Sequence, residues 1–454
     1  MKKWISFMLA ITVSTLSVIK IFAADTFYYI NDDWIYDIIG REYIIVDDID
    51  FIDHSQYQAN TNSNITTEEK EKAAYDLILK GLKEKVGLKN TNDYIDISQI
   101  GLTDKDSSLL ANIYKKVLDD HPELFYAKSG YSCQSLDGMI YRFNPMYYNI
   151  APEDIDRMMK ELETEINIAL AQIEGVTDPV EKAFILHDYL VIHCGYNWET
   201  ATNQKNDDDF SDTKWNAYGA LVKKDAVCQG YSLAYKALMD RAGIECKIIS
   251  KEGVHAWNII KIGENWYHVD VTWDDPVPDR KGYCRHKYFL LSDKTIKTAE
   301  MQHPDWDTES PACNDDKYES GWAFNDIEYP FYRKDDIFYY VKRSDYYNAT
   351  ICYGKLSETG TAIANISIPW GTGVVWANDY LYYVNANNEL MCYDIINKRN
   401  IFVGKIPFSA RASQDGYYHE KLDYIGLRYD KPSNMIVAFS STNRNELCRF
   451  PLKK

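Results

Sequence analysis

The chain has 454 residues, 46% apolar and 26% charged, a composition that supports about two or three globular domains with sizeable cores. Its formal net charge is −18, and a surface this acidic repels phosphate backbones, so nucleic acid is not an expected partner. Nine cysteines, no two closer than 18 residues, exclude CxxC redox or zinc-ribbon patterns and a dense disulfide framework.

In chain order, two lysines precede an apolar run from Trp4 to Ile19, and Ala23 supplies a small residue for cleavage. This is a signal-peptide pattern over residues 1–23. The run is shorter than the ~20 residues of a membrane span and Lys20 interrupts it, so a secreted or cell-surface protein is expected. No later segment is apolar enough to cross a membrane. Cleavage would remove three lysines and no acid, leaving the chain more acidic still.

Residues 24–150 read as a mixed α/β region. The segment 66–87 predicts a helix capped by Thr66 or Thr67, with acids in its first turn. A second helix follows over "DKDSSLLANIYKKVLDD" and stops before Pro122; "MIYRFNPMYY" reads as a strand. Residues 151–310 form the expected catalytic domain. It opens with a helix over 152–174. The next helix has Asp178 as N-cap, Pro179 in its first turn and Glu181 three residues after the cap. Another, amphipathic helix runs from Cys228 to Ala242 and stops at Gly243. Strands "CKIIS", "HAWNIIKI" and "NWYHVDVTW" complete this part. From about 320 to 454 the pattern changes to short β runs rich in tyrosine. "DDIFYYV" (335–341) resembles "NDYLYYV" (378–384), and "TICYGKL" (350–356) resembles "LMCYDII" (390–396), with "ELCRFPL" (446–452) as a third copy. Such a period predicts propeller-like sheets, too few for a closed propeller, with Cys352, Cys392 and Cys448 as equivalent core residues.

The chemistry centres on Cys228. At a helix start, unsatisfied N–H groups and the helix dipole favour an anion, and the thiolate is the nucleophilic form of cysteine. Taken alone, a cysteine here is more often a buried small hydrophobe. The hairpin that follows changes the balance. If its loop is Gly263–Glu264, Ile262 faces Asn265, Trp257 faces Asp270 and His255 faces Thr272. His255 and Asp270 then project from one face as diagonal neighbours. A carboxylate there can orient an imidazole and stabilise its charged form. With Cys228 against His255, the set is nucleophile, base and orienter. His268 shares that face, opposite Ile259. His187 and His193, six apart on one helix, are poorly spaced for shared ligation, and Asp274–Asp275 beside Pro276 read as a strand end. Gln229, Trp257 and Trp273 are expected to line the cleft. No metal and no organic cofactor is expected.

The stretches "AYGALVKKDAVCQGYSLAYKALMDRAGIECKIIS", "HAWNIIKIGENWYHVDVTWDDP" and "KYFLLSD" resemble the bacterial transglutaminase-like superfamily, over about 178–293, with a weaker likeness in "DDHPELFYAKSGY". The resemblance implies an α+β fold with a papain-like core, in which a helix-start cysteine packs on an antiparallel sheet. It implies Cys228 as nucleophile, His255 as base and Asp270 as orienter, with the Cys228 N–H in the oxyanion hole and Tyr218 as candidate second donor. The zinc-binding CxxC pairs of deglycosylating relatives are absent. The expectation is therefore an exported cysteine enzyme that acts on amide bonds of a protein or cell-wall peptide through a thioester. The alternatives are a cross-linking transglutaminase and a non-catalytic protein that binds through the β-domain. An arylamine acetyltransferase shares the Cys-His-Asp order but not the export signal.

Overall fold

The structure, a computed structural model, describes residues 66–202, 213–408 except 252 and 278, 424–440 and 445–453. The expected signal peptide and the first part of the N-terminal region lie outside these residues. Contacts divide the described residues into two units, one comprising those of 66–117 and 127–146, the other those of 118–126 and 147–453.

In the first unit, α1 (Thr67–Lys83) starts with a capping box. The Thr66 hydroxyl oxygen accepts from the Glu69 N–H at 3.2 Å, and the Glu69 carboxylate accepts from the Thr66 N–H at 2.8 Å. Both satisfy donors that a helix start leaves open. Next come β1 (Ile95–Asp96), α2 (Ser107–Asp120), β2 (Ala127–Leu136) and β3 (Met139–Tyr147). The strands form an antiparallel sheet in the order β1-β3-β2 over buried Tyr131, Ile140 and Phe143.

The second unit opens with α3 (Pro152–Leu170), α4 (Pro179–His193), α5 (Trp198–Thr202) and α6 (Cys228–Ala242). Asp178 caps α4 by accepting from the N–H groups of Val180 and Glu181. Gly243, with φ +78°, ends α6 in the left-handed conformation, which glycine adopts without a Cβ penalty. The amphipathic character expected for α6 is not found. Every residue from Cys228 to Met239 is buried, because α3 and α4 pack against it as well as the sheet.

That sheet contains β4 (Cys246–Lys251), β5 (His255–Ile262), β6 (Asn265–Val269) and β7 (Phe289–Leu291), all antiparallel in that order. The hairpin register is the one expected from a Gly263–Glu264 loop, with Ile262 opposite Asn265 and Ile259 opposite His268. The second strand is shorter than expected. Asp270 accepts from the Trp273 N–H and caps a helical turn, α7 (Val271–Asp274), so "VTWD" leaves the sheet. A further turn, α8 (Asp293–Ile296), follows β7.

The remaining strands form three antiparallel meanders. The first is β8 (Tyr332–Lys334), β9 (Ile337–Arg343), β10 (Asn348–Gly354) and β11 (Thr361–Ser367). The second is β12 (Val374–Ala377), β13 (Tyr380–Val384), β14 (Glu389–Asp394) and β15 (Arg399–Lys405). The third is β16 (Ile425–Asp430), β17 (Met435–Ser440) and β18 (Glu446–Pro451). The repeat seen in the sequence is structural. Cys352, Cys392 and Cys448 each sit on the third strand of a meander, opposite Tyr340, Tyr382 and Ala438. One apolar cluster joins the first two sheets through Val341, Ile351, Leu381 and Tyr393, and a second joins the last two through Leu390, Cys392, Leu427 and Ile436. Among the described residues there are three such sheets, and no closed propeller. Tyr283 enters the first of these clusters. Beside it the Lys281 carbonyl accepts from Leu427 N–H at 2.7 Å and the Gly282 carbonyl from Val374 N–H at 2.8 Å. Gly282 has φ +82°, and a Cβ there would lie 2.4 Å from the Val374 carbonyl oxygen. The chain can make this crossing only with glycine.

Candidate active site

The helix start and the hairpin are stitched together at their chemically interesting ends. The Ser232 hydroxyl lies 2.9 Å from both the Cys228 and the Ala256 carbonyl oxygens, and Asn258 donates its amide to the Ser232 carbonyl at 3.0 Å. The first turn of α6 therefore rests on the residue next to His255. On the other side the segment 213–216 crosses closely. Lys214 accepts from the Val227 N–H at 3.1 Å, and a Cβ on Gly230 would lie 2.4 Å from the Lys214 carbonyl oxygen. Glycine is what lets that backbone approach.

His255 is 3% exposed, while Cys228 and Asp270 are fully buried. The His255 Nε2–H donates to Asp270 Oδ2 at 2.6 Å, a short charge-assisted bond. Its other nitrogen, Nδ1, is buried without a hydrogen bond. Asp270 Oδ1 accepts from the Trp273 N–H at 3.1 Å, so the cap of α7 fixes the carboxylate plane. Burial pushes the Asp270 carboxyl up. The charge and hydrogen bonds of His255 and His303 more than offset this and hold it well below the usual carboxylate range. His303 was not singled out in the sequence. Its Nε2 lies 2.8 Å from Asp270 Oδ2 and its Nδ1 donates to the Met301 carbonyl at 2.6 Å. No local signal in "AEMQHPDW" reveals that this histidine returns to Asp270 from a distance of 33 residues.

The remaining expected site residues are placed as follows. Trp257 and Trp273 are 1% and 6% exposed and belong to a core cluster with Ile249, Ile259 and Tyr288. They wall the imidazole from behind, with their rings 5.5 and 5.6 Å from it, and the Trp257 indole donates to His268 Nδ1 at 3.0 Å. Gln229 is buried, its amide 3.4 Å from Asp119 Oδ1. Tyr218 stacks on Phe125 at 5.2 Å and gives its only hydroxyl hydrogen to Glu161 at 2.5 Å, so that hydrogen points at α3. One turn beyond Cys228, the Tyr231 hydroxyl donates to Asp275 at 2.5 Å. Burial, together with the charge on Asp279, pushes the Asp275 carboxyl up to about 8.

A thiol at a buried helix start and an imidazole clamped by a carboxylate at a neighbouring strand end are the parts that nucleophilic catalysis by cysteine requires. Residues 166–271 match the Transglutaminase-like superfamily, and the chain carries a transglutaminase-like domain there. No curated protein matches the chain. Among solved structures, a TGase shares 14% identity at a TM-score of 0.24, covering 38% of this chain and 48% of that one. A candidate cysteine protease from Cytophaga hutchinsonii shares 13% at 0.19, covering 30% and 52%. The N-terminal domain of Nup159 shares 12% at 0.16, covering 44% and 42%. The chain thus spans about half the length of these structures.

Proposed function

We propose that the protein is an exported cysteine enzyme that hydrolyses amide bonds in proteins or cell-wall peptides, with Cys228 as nucleophile, His255 as base and Asp270 as orienter. The observation that carries this reading is the state of His255. A buried ring nitrogen without a partner costs free energy, yet Nδ1 is left so while Nε2 is clamped by Asp270. Such a nitrogen is suited to receive the proton of a thiol.

In the proposed reaction the Cys228 proton passes to His255 Nδ1 and the sulfur attacks the amide carbonyl carbon. The N–H groups at the start of α6 face the developing oxyanion. As the C–N bond breaks, His255 returns the proton to the leaving amine, and the acyl group remains on sulfur as a thioester. Water then attacks the thioester, His255 takes its proton, and the thiol is regenerated. An incoming amine would complete a transfer by the same steps. Asp270 stabilises the imidazolium formed on the way, and the surrounding tryptophans exclude water. Because Cys228 is fully buried, a substrate carbonyl reaches the sulfur only once its cover moves. The three C-terminal sheets are assigned to recognition of a large target.

The test is intact-mass analysis after incubation with peptide and glutamine-containing substrates, with and without an added amine. An acyl adduct on the Cys228 peptide is expected, lost in Cys228→Ala. An adduct that persists in Cys228→Ala would remove the nucleophile and the mechanism with it.

A further inference from the structure

Behind the Cys-His-Asp constellation lies a second buried cluster, formed by His187 and Asp188 of α4 and by Cys284 and His286 of the segment leading into β7. His187 and Cys284 are fully buried, and Asp188 and His286 are 5% and 4% exposed. One ligand-type atom from each of the four lies within 4.8 Å of all the others. Asp188 Oδ1 is 3.2 Å from His187 Nδ1, 2.8 Å from His286 Nε2 and 3.6 Å from Cys284 Sγ, and Cys284 Sγ is 3.7 Å from His286 Nε2. With zinc bonds of about 2.0–2.3 Å, the edges of a tetrahedral ligand set measure roughly 3.3–3.6 Å. Three of these four spacings are already close to that.

Three of the four ligands are held from outside by a further partner. His187 Nε2 faces Asp274 Oδ2 at 3.1 Å, His286 Nδ1 donates to the Ile327 carbonyl at 2.9 Å, and Asp188 Oδ2 accepts from the Phe331 N–H at 3.1 Å. Outer carboxylates and carbonyls that fix the far nitrogen are the usual companions of metal-bound histidines. A carbonyl only accepts, so His286 Nδ1 carries a hydrogen, and in the neutral ring the Nε2 lone pair points at a carboxylate oxygen. A cation between them resolves that opposition. The contrast with His268 is instructive. There the Trp257 indole N–H, which can only donate, occupies Nδ1, and Nε2–H donates to Asp293 at 2.8 Å. That ring is neutral and satisfied, with no lone pair to offer.

We infer that His187, Asp188, Cys284 and His286 bind a structural zinc ion. All four tetrahedral positions are filled by protein, as in closed structural sites, and a mixed thiolate, imidazole and carboxylate set suits zinc. Binding releases the Cys284 thiol proton and any second proton on the rings, and the ion with its four ligands carries no net charge. Through His187 the site holds Asp274, whose carboxylate accepts from the Tyr288 N–H at 3.1 Å and whose own N–H donates to the Asp270 carbonyl at 3.2 Å. The metal would thus brace the turn that presents the Asp270 carboxylate. This departs from the metal-free protein expected from cysteine spacing, because the ligands come as an adjacent pair and an alternate pair rather than as CxxC.

The test uses the full chain, purified without chelator and dialysed against zinc-free buffer. One zinc ion per chain is expected by elemental analysis. Replacing zinc with cobalt should give a thiolate-to-cobalt charge-transfer band that Cys284→Ser removes and that Cys313→Ser and Cys228→Ser retain. Chelation should lower Tm, and zinc should restore it. A folded wild-type chain that takes up no zinc on reconstitution overturns the inference, whether or not Cys284→Ser folds. So does bound cobalt without a thiolate band, which would place the ion at His255, Asp270 and His303.

Discussion

Replacing Asp270 with asparagine keeps the shape of the side chain but removes its charge. In the native site one oxygen serves His255 and His303 and the other caps α7. Asparagine cannot accept at both ends. With its oxygen towards Trp273 N–H, its NH₂ faces the imidazoles and favours the His255 tautomer with hydrogen on Nδ1, which points the wrong way to take a thiol proton. With its oxygen towards the imidazoles, the Trp273 N–H loses its acceptor. The imidazolium also loses a charge partner, worth up to about 4 kcal/mol for unit charges ~4 Å apart at an effective dielectric of 20. A factor of ~10³ in thiolate–imidazolium population therefore bounds the charge contribution alone, and the wrong tautomer adds to it, as where asparagine in place of the aspartate of a serine protease triad lowers kcat by ~10⁴. We expect iodoacetamide alkylation of Cys228 at pH 6, followed by peptide mapping, to slow by about 10–10³-fold. The Tm at neutral pH should fall, because the two buried imidazoles lose the carboxylate whose pKa they hold down, although asparagine can still cap α7. A folded Asp270→Asn protein that labels Cys228 at the wild-type rate would refute the orienter role.

Ser232→Ala should cost about 1 kcal/mol in chemical denaturation and slow Cys228 labelling, since it removes the bridge between α6 and the start of β5. Gly230→Ala should destabilise by roughly 2–4 kcal/mol, because the new methyl meets the Lys214 backbone rather than a movable side chain; a Tm equal to wild type would show that the segment 213–216 yields freely. Asp275 has a carboxyl raised to about 8 by burial and Asp279, so the unfolded chain loses its proton near pH 4 while the folded chain keeps it to about pH 8. Its contribution therefore weakens stability as pH rises across that window, and Asp275→Asn should flatten the fall in Tm. Truncation at residue 320 would uncover Tyr283 and remove the partners of the Lys281 and Gly282 carbonyls. We expect it to give insoluble protein, and a soluble, cooperatively melting fragment would contradict that expectation.

The parts of this fold governed by local rules were legible in the sequence. Asp178 capping α4, Gly243 ending α6, the hairpin register through Gly263–Glu264 and the equivalence of Cys352, Cys392 and Cys448 all follow from spacing within one element or one repeat. That register also pointed to the meeting of His255 with Asp270, but the pairing stops at Val269, and Asp270 reaches His255 as the cap of α7 rather than as a strand residue opposite Trp257. What escaped is long-range. The turn that withdraws Val271–Asp274 from the sheet is stabilised by the side chain of Asp270, so strand propensity misreads it. The burial of α6 on every side depends on which helices pack there, and a helix with Lys236 and Asp240 on it reads as amphipathic until their mutual ion pair at 2.8 Å is seen. His303, and the meeting of His187 and Asp188 with Cys284 and His286, are products of tertiary structure alone.

The central claim, that Cys228 is activated by His255, can be set directly against accessibility. Eight cysteines are buried, and Cys448 is partly exposed, with burial and the Glu446 charge pushing its thiol up. Brief iodoacetamide treatment of the folded protein at pH 6, with all nine cysteine peptides quantified, separates the two. Our account predicts that Cys228 labels first in the wild type and falls behind Cys448 in His255→Ala. Labelling that begins at Cys448 in both proteins and leaves Cys228 unmodified would contradict it.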